Sequence, residues 1–230
     1  MDIITILKDF FRCKGDMQKF INHRFNDDAI LRVYKDKFFK NIEYLITSDG
    51  LKFKNTVLIH NLLENAYRYD KLLKDDIVLV LGACEGDCLV FADRVKHIIA
   101  VEPLHYENLY ENIANNNIKN IDVIVAGIGE GKTELEYEGK KREVELLSLT
   151  EIVVRSGLRP NVLICDIQGY EHFITKEEFK QFRMIEMETH FLNKFTLKDM
   201  REKLNDAGFE YYITDRYDTC EIIHATRRAG

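Results

Sequence analysis

From residue 76 onward the chain alternates short apolar runs with amphipathic stretches, and this alternation restricts the fold more than any other feature. The first run, Ile77–Leu81, is apolar at every position. Such a strand is buried on both faces, the situation of a central strand in a parallel sheet. It is followed by Gly82-Ala83-Cys84-Glu85-Gly86 and a helical pattern over 88–95. Strands are then expected at 97–103, 121–129, 161–169 and 182–190, with helices at 105–117, 148–158 and 196–209. Ser148 is the expected cap of the second of these helices and Gly208 the stop of the third. A polar hairpin spans 133–147, with Glu138-Gly139 at its turn. The chain closes with two strands, 210–215 and 220–228, joined by the short turn 216–219. The expectation is an α/β fold: a seven-stranded, mostly parallel, Rossmann-like sheet ending in an antiparallel strand pair.

The first 75 residues read differently. Ile3, Ile6, Leu7 and Phe10 repeat at helical spacing, as do Ile30, Leu31, Tyr34 and Phe38, so 2–40 is expected to be helical. A β-hairpin is expected around Ser48-Asp49-Gly50, then an amphipathic helix over 55–73 capped by Asn55 or Thr56. Residues 1–41 form an N-terminal helical segment, expected to cover a site or to pair subunits into a homodimer. Residues 42–230 form the main domain.

The net charge of −6 argues against a dedicated nucleic-acid binder. Residues 1–60 carry eleven Lys/Arg against eight Asp/Glu, so the +3 of this segment leaves −9 for the remainder. Two solvated surfaces of opposite sign account for this. The five cysteines (Cys13, Cys84, Cys88, Cys165, Cys220) are odd in number and follow no zinc-finger spacing, so reduced thiols, no metal and a cytoplasmic setting are expected. The opening segment is interrupted by Asp2, Lys8 and Asp9 and makes a poor signal peptide. No apolar run reaches the ~18 residues of a membrane span.

Ligands of an open parallel sheet bind beyond the carboxyl ends of its strands. There the first strand leaves Gly82, which permits a tight turn, and Gly86, which permits close approach of backbone. The second leaves Glu102, twenty residues after Gly82, where a carboxylate can accept hydrogen bonds from both hydroxyls of a ribose. Cys84 occupies the place where a dinucleotide fingerprint has its second glycine. Glu85 and Asp87 add negative charge, which disfavours a pyrophosphate and tolerates a sulfonium and an ammonium group. S-adenosylmethionine is therefore favoured over NAD or FAD.

The segments VLVLGACEGD, IIAVEPLHYENLYENIANN, VAGIGEGKTEL, LICDIQGYE and IEMETH resemble, in order and spacing, those of FkbM-type methyltransferases. The likeness spans roughly residues 42–226. It implies a class I S-adenosylmethionine-dependent enzyme, in many members an O-methyltransferase. It assigns Gly82, Ala83 and Gly86, with Cys84 between them, to the cofactor loop and Glu102 to the ribose. It also sets Pro103 and Leu104 near the adenine, Gly127 and Ile128 on its other side, and Asp166 at the methionine moiety or the substrate. Three positions depart from the family pattern: Val80 and Gln168 replace acids, and Cys84 replaces asparagine.

In MIEMETH, strand alternation sets Glu186, Glu188 and His190 on one face. Glu188 and His190 are expected beside Asp166, where the histidine is a candidate general base on a hydroxyl. A polar edge that orders a loop is the alternative, and a divalent metal on Asp166, Glu188 and His190 a remoter one. Cys165 and Cys220 read as core or strand residues; Asn61, Asn65 and Tyr67 are candidates for the cleft wall. The function expected is methyl transfer from S-adenosylmethionine to an oxygen of a small-molecule or sugar-like acceptor. A non-catalytic Rossmann-like domain with a degraded site is the alternative.

Overall fold

The computed structural model describes residues 32–33, 44–46, 50–54, 67–137, 140–191, 196–216 and 220–228. The chain divides into two compact units, Met1–Ala66 and Tyr67–Gly230. In the first, β1 (Arg32–Val33), β2 (Tyr44–Ile46) and β3 (Lys52–Lys54) form an antiparallel sheet in that order. The β2–β3 pair is the expected hairpin, although Ser48 and Asp49 of its turn lie outside the described residues. Arg32–Val33 corrects the expectation of helix over 30–38: these residues pair with β2, Arg32 opposite Ile46. Local helical spacing yields here to a long-range ladder, as weak propensities routinely do. The rest of 1–41, and 55–66 of the helix expected after the hairpin, lie outside the described residues.

The second unit carries β4 (Ile77–Leu81), β5 (His97–Val101), α1 (Tyr106–Asn115), β6 (Ile121–Ile124), β7 (Gly127–Ile128), β8 (Gly131–Tyr137), β9 (Lys140–Leu147), α2 (Leu149–Ser156), β10 (Val162–Cys165), α3 (Lys176–Phe179), β11 (Met184–His190), α4 (Leu197–Asp206), β12 (Phe209–Arg216) and β13 (Cys220–Arg227). Seven of these strands make one sheet in the order β12-β13-β11-β10-β4-β5-β6. β6, β5, β4, β10 and β11 run parallel, while β13 is antiparallel to both β11 and β12. This is the sheet expected from the apolar runs, with its terminal pair. β4 and β10 lie at its centre, and Val78–Leu81 and Val162–Cys165 are buried. Val80 sits between Ile164 and Ala100, so the position where the resembled pattern has an acid is filled here by a core side chain.

Two elements differ from the sequence reading. The strand expected over 121–129 splits after Ile124, whose carbonyl accepts the Glu102 N–H. β7 then leaves the main sheet to pair with β9 in a second sheet, ordered β7-β9-β8. The helix expected over 88–95 is a 3-10 helix, Asp87–Arg94, that starts from Gly86 in the left-handed region. It buries Asp87, Cys88, Leu89, Phe91 and Ala92, so it packs on several sides rather than presenting one stripe to the sheet.

The helices begin where their caps dictate. Ser148 accepts the Glu151 N–H while Glu151 reaches back to the Ser148 N–H, a capping box at the start of α2. Ser148→Ala is expected to lose about 1 kcal/mol, or roughly 2–4 °C in Tm, in thermal unfolding followed by circular dichroism. Among the described residues no helix is long and apolar enough to cross a membrane.

Candidate active site

The carboxyl ends of β4, β5, β10 and β11 bring four polar groups to one edge of the sheet. β4 ends in a turn wedged between its neighbours: the Gly82 N–H bonds the Val101 carbonyl at 3.0 Å, and the Asp166 N–H bonds that of Leu81 at 3.0 Å. Gly82 has φ +79°, and a Cβ there would collide with the Asp166 carbonyl oxygen and lie 3.0 Å from its carbon. Only glycine lets the ends of β4 and β10 approach this closely. Gly86, at φ +106°, serves the other side of the loop, where a Cβ would lie 2.8 Å from Leu109 of α1.

Glu102 follows β5 directly and is 4% exposed. Its Oε2 accepts the Cys84 N–H at 2.9 Å, and its Oε1 accepts the N–H groups of Leu104 at 2.8 Å and His105 at 3.0 Å. One carboxylate thus fixes both the glycine loop and the entry to α1. Three of its roughly four lone-pair directions are used, and the one remaining is on Oε2, the oxygen nearer the loop.

Cys84 and Gln168, two of the departures from the family pattern, both adopt positive φ, +46° and +54°. Asparagine is the side chain that visits this region most readily after glycine, which explains the residue usual at position 84. Burial and the neighbouring Glu85 push the Cys84 thiol well up, so it stays protonated and donates to Glu85 Oε2 at 2.7 Å. Glu85 does not charge the loop surface as its sequence position implies. It is fully buried, with Oε1 3.0 Å from His105 Nδ1, and its backbone carbonyl accepts the Asn112 amide. Burial raises its pKa, but the His105 and Cys84 hydrogen bonds outweigh that and hold it below the usual range.

Asp166 follows β10, and its Oδ1 accepts the Gln168 amide at 2.9 Å. Burial and the Glu188 carboxylate push it up to about 6 against the opposing pull of His190. His190 ends β11 with Nε2 3.3 Å from Glu188 Oε1 and Nδ1 3.6 Å from Glu171 Oε1. Burial lowers its pKa, but these two carboxylates prevail and lift it to about 10. A histidine titrating near neutrality is the expectation from sequence; the carboxylates around His190 instead favour its cationic form.

Glu171 is the residue the sequence reading missed. It is fully buried, its Oε2 accepts the Gly169 N–H at 2.8 Å, and its Oε1 accepts the backbone N–H of His190. CDIQGYE contains it, but nothing local tells that its partner lies at the end of the next strand. Glu186, on the same face as Glu188, belongs instead to a structural network. It accepts the Arg68 Nε–H at 2.7 Å, and its Oε2 lies 2.6 Å from Nδ1 of His224, its register partner on β13. Tyr67, a cleft candidate from sequence, is buried, and its hydroxyl has no partner among the described residues. Burial, then the charge of Asp166, keeps this phenol well above its ordinary pKa.

Gly82, Cys84, Glu102, Leu104 and Asp166 are thus joined by hydrogen bonds or close approach, and Asp166, Glu188 and His190 act on one another electrostatically. Ala83 is buried within the turn, and its N–H bonds the Val101 carbonyl at 3.1 Å. Pro103 lines a separate groove of about 520 Å³ with Tyr106, Val125, Lys132 and Arg142. Gly127 and Ile128 form β7, packed against Leu146 and Leu147 of the hairpin.

No protein-family model matches the sequence, and no curated protein does. Solved structures do match. Precorrin-6y C5,15-methyltransferase from Geobacter metallireducens is 13% identical with a TM-score of 0.54, over 76% of this chain and 95% of that one. An rRNA methylase from Streptococcus thermophilus is 10% identical with a TM-score of 0.51, over 69% and 90%. Methyltransferase FkbM from Methylobacillus flagellatus is 14% identical with a TM-score of 0.49, over 72% and 52%. The second unit has the Rossmann-like fold of methyltransferases.

Proposed function

We propose that the chain is an S-adenosylmethionine-dependent methyltransferase of the FkbM type, acting on an oxygen of a small-molecule or sugar-like acceptor. One observation carries the reading: the buried Glu102 carboxylate pins the Gly82–Gly86 loop and keeps one Oε2 lone pair unused, beside a turn whose Gly82 brings the ends of β4 and β10 close together. That is a cradle for an adenosine ribose rather than for a pyrophosphate. Ala83 and Cys84 would floor the site, Leu104 and Pro103 would stand toward the adenine, and Gly127 and Ile128 would support its far side. When bound, the cofactor supplies an electrophilic methyl group on a sulfonium. The chain's part is to align the acceptor oxygen and to take its proton. Asp166 and Glu188 are the carboxylates for that transfer, and the cationic His190 holds negative charge in place as the proton leaves. The four described cysteines are free thiols, which supports the cytoplasmic setting expected from composition.

Calorimetric titration with S-adenosylmethionine, S-adenosylhomocysteine and NADH tests this. The two adenosyl ligands are expected to bind and NADH is not. Glu102→Gln keeps the side-chain volume but loses a charged acceptor, so it should weaken binding roughly 10- to 150-fold. A folded wild-type chain that binds neither adenosyl ligand would instead be a non-catalytic domain with this fold.

A further inference from the structure

At the carboxyl end of β11, three side chains of metal-ligand type converge on one point. Glu188 and His190 project from the same face of β11, and Cys220 of β13 stands in register opposite His190. Glu188 Oε1 is 3.3 Å from His190 Nε2 and accepts a hydrogen bond from Cys220 Sγ at 3.1 Å. The three donor atoms all lie within 4.8 Å of one another. For zinc, with metal–ligand distances of ~2.0–2.3 Å and tetrahedral angles, the N···O edge is about 3.3 Å and the S···O edge about 3.6 Å. The first edge is met as it stands; the second needs a shift of about half an ångström.

A second feature points the same way. Metal-bound histidines nearly always give their other ring nitrogen to a carboxylate or carbonyl, which fixes the tautomer. His190 Nδ1 faces the fully buried Glu171 Oε1 at 3.6 Å, longer than a hydrogen bond, so a small ring shift on loading would complete that pair and leave Nε2 toward Glu188 and Cys220. The ligands also sit on paired strands of the main sheet rather than on loops.

We propose that Glu188, His190 and Cys220 form a binding site for a divalent transition ion of the zinc type, with a fourth position left for water or a ligand. The thiolate selects against magnesium and calcium. On loading, the protons of His190 Nε2 and Cys220 Sγ pass to solvent, and the ion occupies the point between them. Three protein ligands with one open position is the arrangement of catalytic rather than structural zinc. Asp166 ends the neighbouring β10 and acts electrostatically on Glu188 and His190, so an ion held there would supply a Lewis acid near the same carboxylates. The inference stands on the strand-end geometry and does not depend on the adenosyl cofactor.

A second trio, Cys84, Glu85 and His105, also brings its donor atoms within 4.8 Å of one another. In it Glu85 already holds Cys84 and His105 with separate oxygens, so an ion would have to displace both contacts. The test must therefore tell the two apart. The full chain is titrated with cobalt(II), followed by near-ultraviolet thiolate-to-metal absorption, and zinc is then used to displace the cobalt. The expected result is one ion per chain with a thiolate band. Cys220→Ser should remove the band and weaken binding at least 100-fold, His190→Gln should weaken it similarly, and Cys84→Ser should leave both unchanged. Far-ultraviolet circular dichroism and thermal unfolding of Cys220→Ser report whether the fold survives; where it does not, Glu188→Gln replaces it. No cobalt uptake by the wild type, a band that survives Cys220→Ser, or a band lost in Cys84→Ser would each overturn the proposal.

Discussion

Asp76→Ala is expected to lose about 3 kcal/mol of stability, because the Leu73 N–H, the Asn161 amide and the partly exposed Arg183 lose a buried acceptor. Asp76 is 1% exposed one residue before β4. Its carboxylate accepts the Leu73 N–H at 2.7 Å, the Asn161 amide at 2.9 Å and the Arg183 Nε–H at 2.9 Å, and takes a second guanidinium contact on Oδ2. Its backbone carbonyl accepts from Lys96 and His97 at the start of β5. One residue thus ties together the amino ends of β4, β5, β10 and β11. Burial raises its pKa, but Arg183, Leu73 and Asn161 outweigh that and hold it below the ordinary carboxylate value. A carboxyl depressed on folding contributes fully above its unfolded pKa of about 3.9, and loses that contribution as pH falls through the folded value. Urea unfolding at pH 7 and near pH 3 should therefore show wild type losing more stability in acid than Asp76→Asn. Equal losses would mean that the carboxylate is not the group that matters.

Gly82→Ala should cost roughly 2–6 kcal/mol, combining overpacking with strain at positive φ. The new methyl meets backbone of Asp166 and the Ile167 side chain at 3.3 Å, so the ends of β4 and β10 must part. Gly157→Ala is the control: its φ is +67°, but nothing lies within 4 Å of the new methyl. A variant at 82 as stable as the one at 157 would show that the strand ends have room. Where Gly82→Ala still folds, it should no longer bind S-adenosylhomocysteine, because Glu102 and Asp166 no longer share a fixed frame.

The central strands were legible because burial on two faces leaves its mark in consecutive residues. Ile77–Leu81 and its partners need no distant information. Glu102 and Asp166 were legible for a related reason: position at a strand end follows from the strand. What was not legible depends on partners far along the chain. The run over 121–129 is apolar whether it pairs with one sheet or two, and only Leu146 and Leu147 decide that it splits. The pKa of His190 is raised by Glu171, nineteen residues earlier, together with Glu188, and Glu186 is removed from the site by Arg68 and His224. Glu85 reads as a surface acid until α1 is packed over it, with Asn112 on its backbone. Cys220 reads as a plain strand residue until β13 turns back along β11.

The split after Ile124 also bears on how such a fold can vary over evolutionary time. β8 pairs with β9 and β9 with β7, and none of the described strands of the main sheet joins their ladder. The ribbon is held to its surroundings by side chains such as Arg142, which reaches the Leu104 carbonyl, and Glu145, which meets Arg155 of α2. Residue pairs gained or lost beyond Tyr137 and Lys140 would reshape the wall next to Pro103 while every rung of the seven-stranded sheet stayed in register. Descendants of such a chain can thus change what they admit by resizing an appendage, and Glu102 and Asp166 inherit the same scaffold throughout.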